Sequence, residues 1–297
     1  MQRDLVRGRF ANIEKYLHLT TCIYLCAMKE FADQLGRKIT LASTPKRIVS
    51  IVPSQTELLY DLGLHEEVIG ITKFCIHPDS WFRKKAKVGG TKSIDVEKIK
   101  QLAPDLIIGN KEENEQSLIA DLMNQYPVWM SDVKNLDEAF KMIELIGDLV
   151  GKKNKSLELT NQIKQQFNQL SHHPFQEAGN LQVRIAYLIW KGPLMVAGDG
   201  SFIDDMISRC GFTNVFSNKK RYPEITSGEL AEASPELILL SSEPYPFKEK
   251  DIREFLLVCP GSKILLVDGE LISWYGSRLL KAPDYFRSLV KQIQFSN

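Results

Sequence analysis

Short apolar runs alternate with segments of helical periodicity along the first part of the chain. Residues 48–52 form an apolar, β-branched run that ends at Pro53, which predicts a strand buried on both faces. The polar residues 54–57 then begin a helix that ends at Gly63. The same criteria predict further elements at residues 68–71 (strand), 96–102 (helix), 105–109 (strand), 114–124 (helix) and 127–130 (strand). This alternation predicts an α/β lobe with a mostly parallel sheet over residues 32–134.

The same alternation returns after residue 180. Elements are predicted at residues 183–190 (strand), 202–209 (helix), 237–240 (strand), 250–257 (helix), 263–267 (strand) and 283–294 (helix). Residues 97–108 and 229–239 are alike, because each places a glutamate in a short helix that leads into a proline, an acidic residue and an apolar strand. This local repeat predicts a second α/β lobe of similar construction over residues 171–297.

Residues 135–170 lie between the two predicted lobes and have apolar positions at helical spacing without a proline. Asn135 and Glu138 have the spacing of a capping pair at the start of this segment. Gly147 and Gly151 each cost a helix about 1 kcal/mol relative to alanine, but neither forbids it. At the rise of an α-helix the segment would be about 54 Å long. We therefore predict one long α-helix that joins the two lobes.

Composition and charge narrow the class of protein. Of the 297 residues, 43% are hydrophobic and 25% are charged, which is ordinary for a globular protein. The net charge of +1 shows none of the basic excess typical of nucleic-acid-binding proteins, so no nucleic-acid partner is expected. The 5 cysteines are odd in number and widely spaced, which predicts free thiols rather than a disulfide framework. Cys22 and Cys26 lack the further ligands that a zinc site needs.

Residues 1–31 combine several arginines with a modest apolar run and are predicted to be an N-terminal extension or a degenerate export signal. Residues 19–22 weakly resemble a lipoprotein cleavage site, although Thr21 is large for the position before the cysteine. A second possibility is that the working chain begins at Met28 instead of Met1. Localisation therefore stays open between the outer face of the membrane and the cytoplasm.

Motifs of enzyme chemistry are missing from the sequence. It contains no Gly-x-Ser-x-Gly elbow, no phosphate-binding loop, no complete dinucleotide fingerprint and no H-E-x-x-H motif. His172 and His173 precede Pro174 in a polar stretch and are interpreted as solvated residues rather than metal ligands. His77 is the histidine that falls in a predicted loop of the first lobe. We predict a protein that is not an enzyme and that has no catalytic residue, metal site or intrinsic cofactor.

Several motifs together resemble the substrate-binding proteins of iron-siderophore and vitamin B12 ABC importers. The motifs are residues 45–57 (PKRIVSIVPSQTE), 102–108 (LAPDLII) and 234–239 (SPELIL), with the helical segment between the second and the third. Residues 241–247 (SSEPYPF) are most similar to the cobalamin-binding branch. The resemblance covers about residues 32–296 and implies a class III periplasmic-binding-protein fold, in which one long helix joins two α/β lobes.

The resemblance also implies a ligand site in the cleft between the lobes, where aromatic rings suit a flat corrin or chelate and basic groups suit its carboxylates or phosphates. The candidate ligand contacts are Ser54, Gln55, Lys73, Phe74, Thr91, Lys92, Asn110, Lys111, Glu112, Trp190, Arg221, Tyr222, Glu243, Trp274, Tyr275 and Arg278. Cobalamin receptors often have tryptophans near the positions of Thr91 and Asn110. A smaller or more hydrophilic chelate is therefore an alternative ligand.

By the same resemblance, Glu97 and Glu229 are candidates for docking to arginines of a membrane permease. The first hypothesis is a monomeric receptor that binds a cobalamin-like or iron-chelate ligand and delivers it to an ABC transporter permease. The second is a cytoplasmic relative of the same fold that handles a corrinoid or metallocofactor and takes no part in transport.

Overall fold

The computed structural model describes residues 28–170 and 183–294. Predictions made for the N-terminal segment with Cys22 and Cys26, and for His172 and His173, lie outside the described residues. Among the residues that are described, no helix combines the length and the apolar character needed to cross a membrane.

An antiparallel hairpin of β1 (Lys29–Ala32) and β2 (Lys38–Leu41), which the apolar pattern did not predict, begins the described chain. It is followed by the strands β3 (Ile48–Ser50), β4 (Val68–Ile71), β5 (Ala86–Lys87), β6 (Leu106–Asn110) and β7 (Val128–Ser131). These form a parallel sheet in the order β5-β4-β3-β6-β7. The helices of this N-terminal lobe are α1 (Pro53–Asp61), α2 (Asp79–Lys84), α3 (Val96–Leu102) and α4 (Gln116–Met123).

The segment between the lobes contains two helices, α5 (Leu136–Leu149) and α6 (Lys153–Leu170). The prediction of one continuous helix over residues 135–170 is therefore wrong. Gly151 has a φ of +70°, a left-handed conformation that glycine adopts readily and that ends α5. The chain then turns back on itself, since Nζ of Lys164 on α6 lies 3.7 Å from Oε1 of Glu144 on α5. In one straight helix these two residues would be about 30 Å apart.

Close packing of α5 against α6 depends on a second glycine. A Cβ atom placed on Gly147 would lie 2.0 Å from Oγ and 2.3 Å from Cβ of Ser156. Even the smallest side chain at position 147 would therefore overlap α6. The two helices form an antiparallel hairpin. Gly151 allows its turn, and Gly147 allows the close contact between the two helices.

Helix α6 reaches both lobes, as does α5, in which the N–H of Leu136 donates to Asp205 at 2.8 Å and the carbonyl of Glu138 accepts from Gln34 at 3.0 Å. Near the start of α6, Nζ of Lys155 lies 3.2 Å from a Cβ placed on Gly63, just beyond the end of α1. Near its end, the ring of Phe167 packs against that of Phe286, with the centroids 6.4 Å apart. A helix of this length extends about 27 Å. Helix α6 therefore bridges the two lobes, which is the role that the resemblance implied for the whole of residues 135–170.

The strands of the C-terminal lobe are β8 (Arg184–Trp190), β9 (Leu194–Val196), β10 (Thr213–Asn214), β11 (Glu224–Ile225), β12 (Leu237–Ser241) and β13 (Lys263–Val267). They form a sheet in the order β11-β9-β8-β12-β13, with β10 paired to β8, and only β9 runs antiparallel to both neighbours in this described sheet. The helices are α7 (Phe202–Arg209), α8 (Ser227–Ala233), α9 (Glu249–Val258), α10 (Gly269–Ser273), a 3₁₀ turn (Ser277–Leu280) and α11 (Ala282–Gln294). Two mostly parallel sheets with surrounding helices confirm the predicted α/β class.

The predicted repeat between the lobes is present in atomic detail. Helix α3 ends at Ala103 and α8 ends at Ser234, and both residues are left-handed, with φ of 43° and 45°. Non-glycine residues rarely adopt this conformation. A proline follows each of them and cannot continue the helix.

An arginine beside the central strand of each lobe holds this helix end in place. Arg47 donates to the carbonyl of Ala103, and Arg184 donates to that of Ala233. The backbone N–H of Arg47 donates in turn to Asp105 at 2.9 Å, and that of Arg184 donates to Glu236 at 2.8 Å. The acidic residue after each proline therefore joins the helix end to the strand in the same way in both lobes.

The helical hairpin predicts whether a side chain added at position 147 stabilises or destabilises the protein. Gly147→Ala should lower the free energy of unfolding by about 1–3 kcal/mol, because the added methyl group overlaps Ser156. In a single extended helix the same change would raise it by about 1 kcal/mol. Urea denaturation followed by circular dichroism distinguishes the two. Gly228→Ala, at a helical glycine with only an ordinary contact, is the control and should raise stability by up to about 1 kcal/mol.

Candidate ligand-binding cleft

Loops at the carboxyl ends of parallel strands in the two lobes meet across a cleft. The N-terminal lobe contributes α1 and the loops after β4, β6 and β7. The C-terminal lobe contributes the loop after β12, residues 268–278 and Arg221 in the segment between β10 and β11. Open α/β sheets bind their ligands at this edge. Several side chains that were predicted to bind ligand contact one another here.

Among these contacts, those of Arg278 have the most favourable geometry. Its Nε and Nη2 atoms each donate to one carboxylate oxygen of Glu57 at 2.8 Å, and its Nη1 atom donates to Glu270 at 2.5 Å. Its guanidinium carbon lies 4.6 Å from the ring centroid of Trp274. The Arg278 side chain is 10% exposed and that of Glu57 is 13% exposed, so water screens this pair little. We call Arg278, Glu57 and Glu270 the Arg278 clamp, which holds α1 to the C-terminal lobe.

His77 extends the Arg278 clamp from the loop after β4. Its Nε2 atom lies 3.1 Å from Oε2 of Glu270, and its ring meets Trp274 edge-on with the centroids 5.7 Å apart. No role was predicted for His77. The available signal was its place just after a parallel strand, at the edge of the sheet where ligands bind.

A second group of ion pairs crosses the cleft at Arg221. This residue is left-handed, with φ of 61°, and its guanidinium pairs with Glu112 and lies 3.3 Å from Oδ1 of Asp132. Lys111 also donates to Asp132, at 2.9 Å. Burial opposes the ionisation of Asp132, but the surrounding cations outweigh it and lower the pKa of this carboxyl. Asp132 was missed from the sequence, although it directly follows β7.

Residues 273–276, which we call the strap, lie against the N-terminal lobe between the two groups of ion pairs. The hydroxyl of Tyr275 donates to Glu113 at 2.6 Å. Gly276 approaches Ser54 so closely that a Cβ placed on it would lie 2.5 Å from the Ser54 carbonyl oxygen. Next along the chain, the hydroxyl of Ser277 bonds to Asp61. Only glycine at position 276, the last residue of the strap, therefore allows this close approach to the N-terminal lobe.

Two half-buried carboxyls border the strap, one from each lobe. Glu113 accepts the hydrogen bond from Tyr275, and Glu243 accepts one from Ser273 at 2.5 Å and one from the indole N–H of Trp274 at 2.7 Å. Burial raises the pKa of both carboxyls to about 7, and these hydrogen bonds offset only part of the effect. Glu243 was predicted as a site residue. Glu113, its neighbour across the strap, directly follows the predicted residue Glu112 and was not predicted.

Ser54, Gln55 and Asn110 lie buried at the floor of the cleft rather than on its surface. The side-chain N–H groups of Gln55 and Asn110 both donate to Oγ of Ser131, at 2.5 and 2.9 Å. Oγ of Ser54 and Oε1 of Gln55 have no hydrogen-bond partner within the described part of the chain. These residues shape the floor, and their contact with a ligand remains a prediction.

Two predicted aromatic residues lie at the rim of the cleft. Phe74 is 51% exposed, and Nζ of Lys73 lies 5.1 Å from its ring centroid. Trp190 is 37% exposed and meets Tyr245 edge-on, with the centroids 5.7 Å apart. Both rings are accessible to a ligand without a change in the fold.

The remaining predicted residues are tied into the protein. Nζ of Lys92 donates to the main-chain carbonyl of Glu112 at 2.6 Å, and the carbonyl of Thr91 accepts from Asn114 at 3.1 Å. Tyr222 is half-buried, and burial raises the pKa of its hydroxyl. No cluster of three or more His, Cys, Asp or Glu in residues 28–170 and 183–294 is arranged to hold a metal ion.

A pocket of about 380 Å³ opens beside the Arg278 clamp. It lies between α1, α6 and the 3₁₀ turn, and its charged lining includes Glu57, Asp61, Lys155 and Lys281. Burial raises the pKa of Asp61, and the hydrogen bond from Ser277 opposes this rise. The pocket shows that the junction of α6 with the two lobes is open to solvent.

Residues 48–258 match the sequence profile of the family described as periplasmic binding protein. The chain belongs to this family. The match runs from β3 to the end of α9, so it includes the parallel sheet of the N-terminal lobe and every strand of the C-terminal lobe except β13. It confirms the predicted resemblance and the prediction of a binding protein rather than an enzyme.

Individual relatives of this periplasmic binding protein agree with the family. It is 23% identical over 261 residues to the uncharacterized ABC transporter substrate-binding lipoprotein YvrC of Bacillus subtilis, covering 85% of this chain and 82% of that one. It is 25% identical over 241 residues to the vitamin B12-binding protein of Pectobacterium carotovorum, covering 80% and 86%. The crystal structure of the vitamin B12 binding protein BtuF of Vibrio cholerae superposes with a TM-score of 0.70 at 22% identity, covering 84% and 98%. The last comparison confirms the predicted fold class, and none of them supports the cytoplasmic alternative.

We predict that the Arg278 clamp is a main source of stability in this periplasmic binding protein. Arg278→Met should lower the free energy of unfolding by about 2–4 kcal/mol, because it leaves Glu57 poorly hydrated and without this partner and leaves Glu270 with His77 alone in the clamp. A double-mutant cycle with Glu57→Gln, measured by urea denaturation, should recover part of the loss. Arg83 and Asp79 form the control pair, since both are exposed, and Arg83→Met should cost less than about 0.5 kcal/mol. Equal losses at the two sites would contradict the clamp.

Stability should also fall as pH rises through the range in which Glu113 and Glu243 ionise. Their pKa is raised from the ordinary value of 4.5 to about 7, so between these values the folded protein binds more protons than the unfolded chain. The stabilisation is complete at pH below 4.5 and is lost as pH rises through about 7. We expect a loss on the order of 1–2 kcal/mol in urea denaturation between about pH 5 and about pH 8.

Glu243→Gln should flatten this profile, because glutamine resembles the protonated carboxyl and does not titrate. Glu249→Gln, on the exposed start of α9, should leave the profile as it is. If both variants keep the full pH dependence, its origin lies elsewhere in the protein.

Proposed function

We propose that this periplasmic binding protein serves an ABC importer and binds a cobalamin-like or iron-chelate ligand between its two lobes. The observation that carries the proposal is the convergence of aromatic and polar side chains from both sheets on one cleft, at the edge where such sheets bind ligands. Trp274 and Tyr275 from one lobe face His77 and Glu113 from the other. Flat aromatic surfaces with polar atoms at their edges suit a flat chelate.

Two of the similar proteins are named for binding vitamin B12, which supports a cobalamin-like ligand. Thr91 and Asn110 favour the second candidate, a smaller or more hydrophilic iron chelate, because neither supplies the tryptophan ring that cobalamin receptors often have nearby. Phe74 and Trp190 supply aromatic surface at the rim instead.

We infer that the ligand enters by replacing contacts between the lobes. The pairs Arg278–Glu57, Tyr275–Glu113 and Arg221–Asp132 each have one member in each lobe. When the lobes separate, these side chains become available to the ligand. Helix α6, which contacts both lobes, keeps them joined while the cleft widens.

Delivery of the ligand requires contact with a permease, and we propose that Glu97 makes it. The Glu97 side chain is 77% exposed, and it pairs with Lys100, itself 42% exposed, at 2.8 Å. Glu229 is less free, because a hydrogen bond and ion pair with Lys219 at 2.7 Å and its place in the capping box of α8 lower its pKa to about 2. Gly228 is the true counterpart of Glu97, since each is the second residue of its helix. We therefore propose Glu97 as the principal docking residue and Glu229 as a secondary one.

We further propose that the protein acts as a monomer on the outer face of the membrane. The support for this location comes from the family and from the relative named as a lipoprotein. The arginines and the apolar run within residues 1–31 are also in keeping with an export signal.

Isothermal titration calorimetry of the purified chain with cyanocobalamin, haemin and a ferric siderophore tests the proposal. We expect saturable binding of at least one of them with one molecule per chain. Phe74→Ala should weaken that binding about tenfold by removing an accessible ring from the rim. Leu257→Ala, at a side chain that is 86% exposed on α9, is the matched control and should leave affinity unchanged. Absence of binding to the whole panel would contradict the proposed function.

A further inference from the structure

The guanidinium groups at the cleft are already neutralised by carboxylates of the protein itself. Arg278 is shared between Glu57 and Glu270. Arg221 is shared between Glu112 and Asp132. An anionic group on a ligand would have to compete with two carboxylates for either guanidinium, which cancels much of the attraction that a free arginine would provide.

Glu113 and Glu243 have the opposite surroundings. Across the described ranges neither of them takes part in an ion pair, and their side-chain partners are the neutral donors Tyr275, Ser273 and Trp274. Glu113 comes from the loop after β6 and Glu243 from the loop after β12. The strap therefore has a carboxyl from each lobe beside it.

Most of the charges that act on this pair are negative as well. Glu243 faces Glu270 and Asp268, and Glu113 faces Glu112 and Glu243 itself. Lys92 lowers the pKa of Glu113, but its ammonium group is also held by main-chain carbonyls of the same loop. A group placed against the strap therefore meets a surface that accepts hydrogen bonds and repels negative charge.

We propose that Glu113 and Glu243 select the ligand by charge, accepting hydrogen bonds from neutral donors such as carboxamides and rejecting ligands that present carboxylates to the strap. This inference rests on the proposed function and names the ligand class within it. Metal chelates with an amide-bearing edge, such as corrinoids, fit the strap. Chelates with carboxylates at the edge, such as haem, do not. The cleft arginines, which were predicted to attract anionic groups, act in closing the cleft instead.

A matched set of ligands tests the selection by charge. Cyanocobalamin is compared by calorimetry with its monocarboxylic acid isomers, in each of which one peripheral carboxamide is hydrolysed to a carboxylate, and with haemin. At about pH 8, where the pair is ionised, at least one isomer and haemin should bind about tenfold or more weakly than cyanocobalamin. Between about pH 8 and about pH 6 the difference should narrow, because the pair takes up protons over this range.

Variants test whether Glu113 and Glu243 cause this discrimination between ligands. The double variant Glu113→Gln with Glu243→Gln keeps hydrogen-bonding capacity and removes the charge, so it should bring the monocarboxylic acid to within about threefold of cyanocobalamin. Glu249→Gln is the control and should keep the full discrimination. Circular dichroism verifies that each variant is folded, and the comparison of ligands on the unaltered chain stands without any variant.

The possible results test the selection by charge and the proposed function separately. Equal binding of cyanocobalamin and all its monocarboxylic acids, or tighter binding of haemin at about pH 8, would overturn the selection by charge and leave the proposed function intact. A discrimination that persists unchanged in the double variant would also overturn it. Absence of binding to all of these ligands would overturn the selection by charge, and it would overturn the proposed function as well only if the ferric siderophore also failed to bind.

Discussion

The relation between the two lobes depends on the need to neutralise a guanidinium that lies almost out of contact with water. The Arg278 side chain is 10% exposed, and an unpaired charge at such a site costs several kcal/mol, on the order of 3–5. It is compensated by one carboxylate from each lobe, Glu57 and Glu270. Because the pair with Glu57 is bidentate, it fixes direction as well as distance. The close approach of Gly276 to Ser54 and the hydrogen bond from Tyr275 to Glu113 follow from this placement of α1.

Under the proposed function, closure and ligand binding use many of the same side chains. A ligand that enters the cleft has to replace hydrogen bonds and ion pairs that the lobes make with each other, and its observed affinity is reduced by the free energy of separating them. The contacts that remain, through α6 and its packing against both lobes, keep the two halves of the site in register. This arrangement explains how a binding protein can be stable when closed and still admit a large ligand. It also explains why cations at the cleft are poor indicators of ligand charge here.

Local patterns in the sequence were sufficient for most helices, the repeat between the lobes and the strands β3, β4, β6, β7, β8, β12 and β13, since apolar periodicity, helix ends and proline positions act over a few residues. The shorter strands and the β1-β2 hairpin were not predicted. The helical hairpin could not be predicted in this way. Gly151 is compatible with both a continued helix and a turn, and the choice depends on the contact of Gly147 with Ser156. In the cleft, residue types and loop positions identified many of the side chains that meet between the lobes, and their contact with a ligand remains a prediction. Which residue pairs with which depends on contacts such as that of Glu57 with Arg278, which are 221 positions apart.

The distance between the lobes in solution tests the central role of the Arg278 clamp most directly. Spin labels can be attached through Lys98→Cys on α3 and Glu249→Cys on α9, both exposed, with Cys22 and Cys26 replaced by serine because the other cysteines are buried. Pulsed electron paramagnetic resonance should give one narrow distance for this labelled protein. Adding Arg278→Met should give a longer and broader distribution, while adding Arg83→Met should give none of this change. A distribution that stays the same after Arg278→Met would contradict the account.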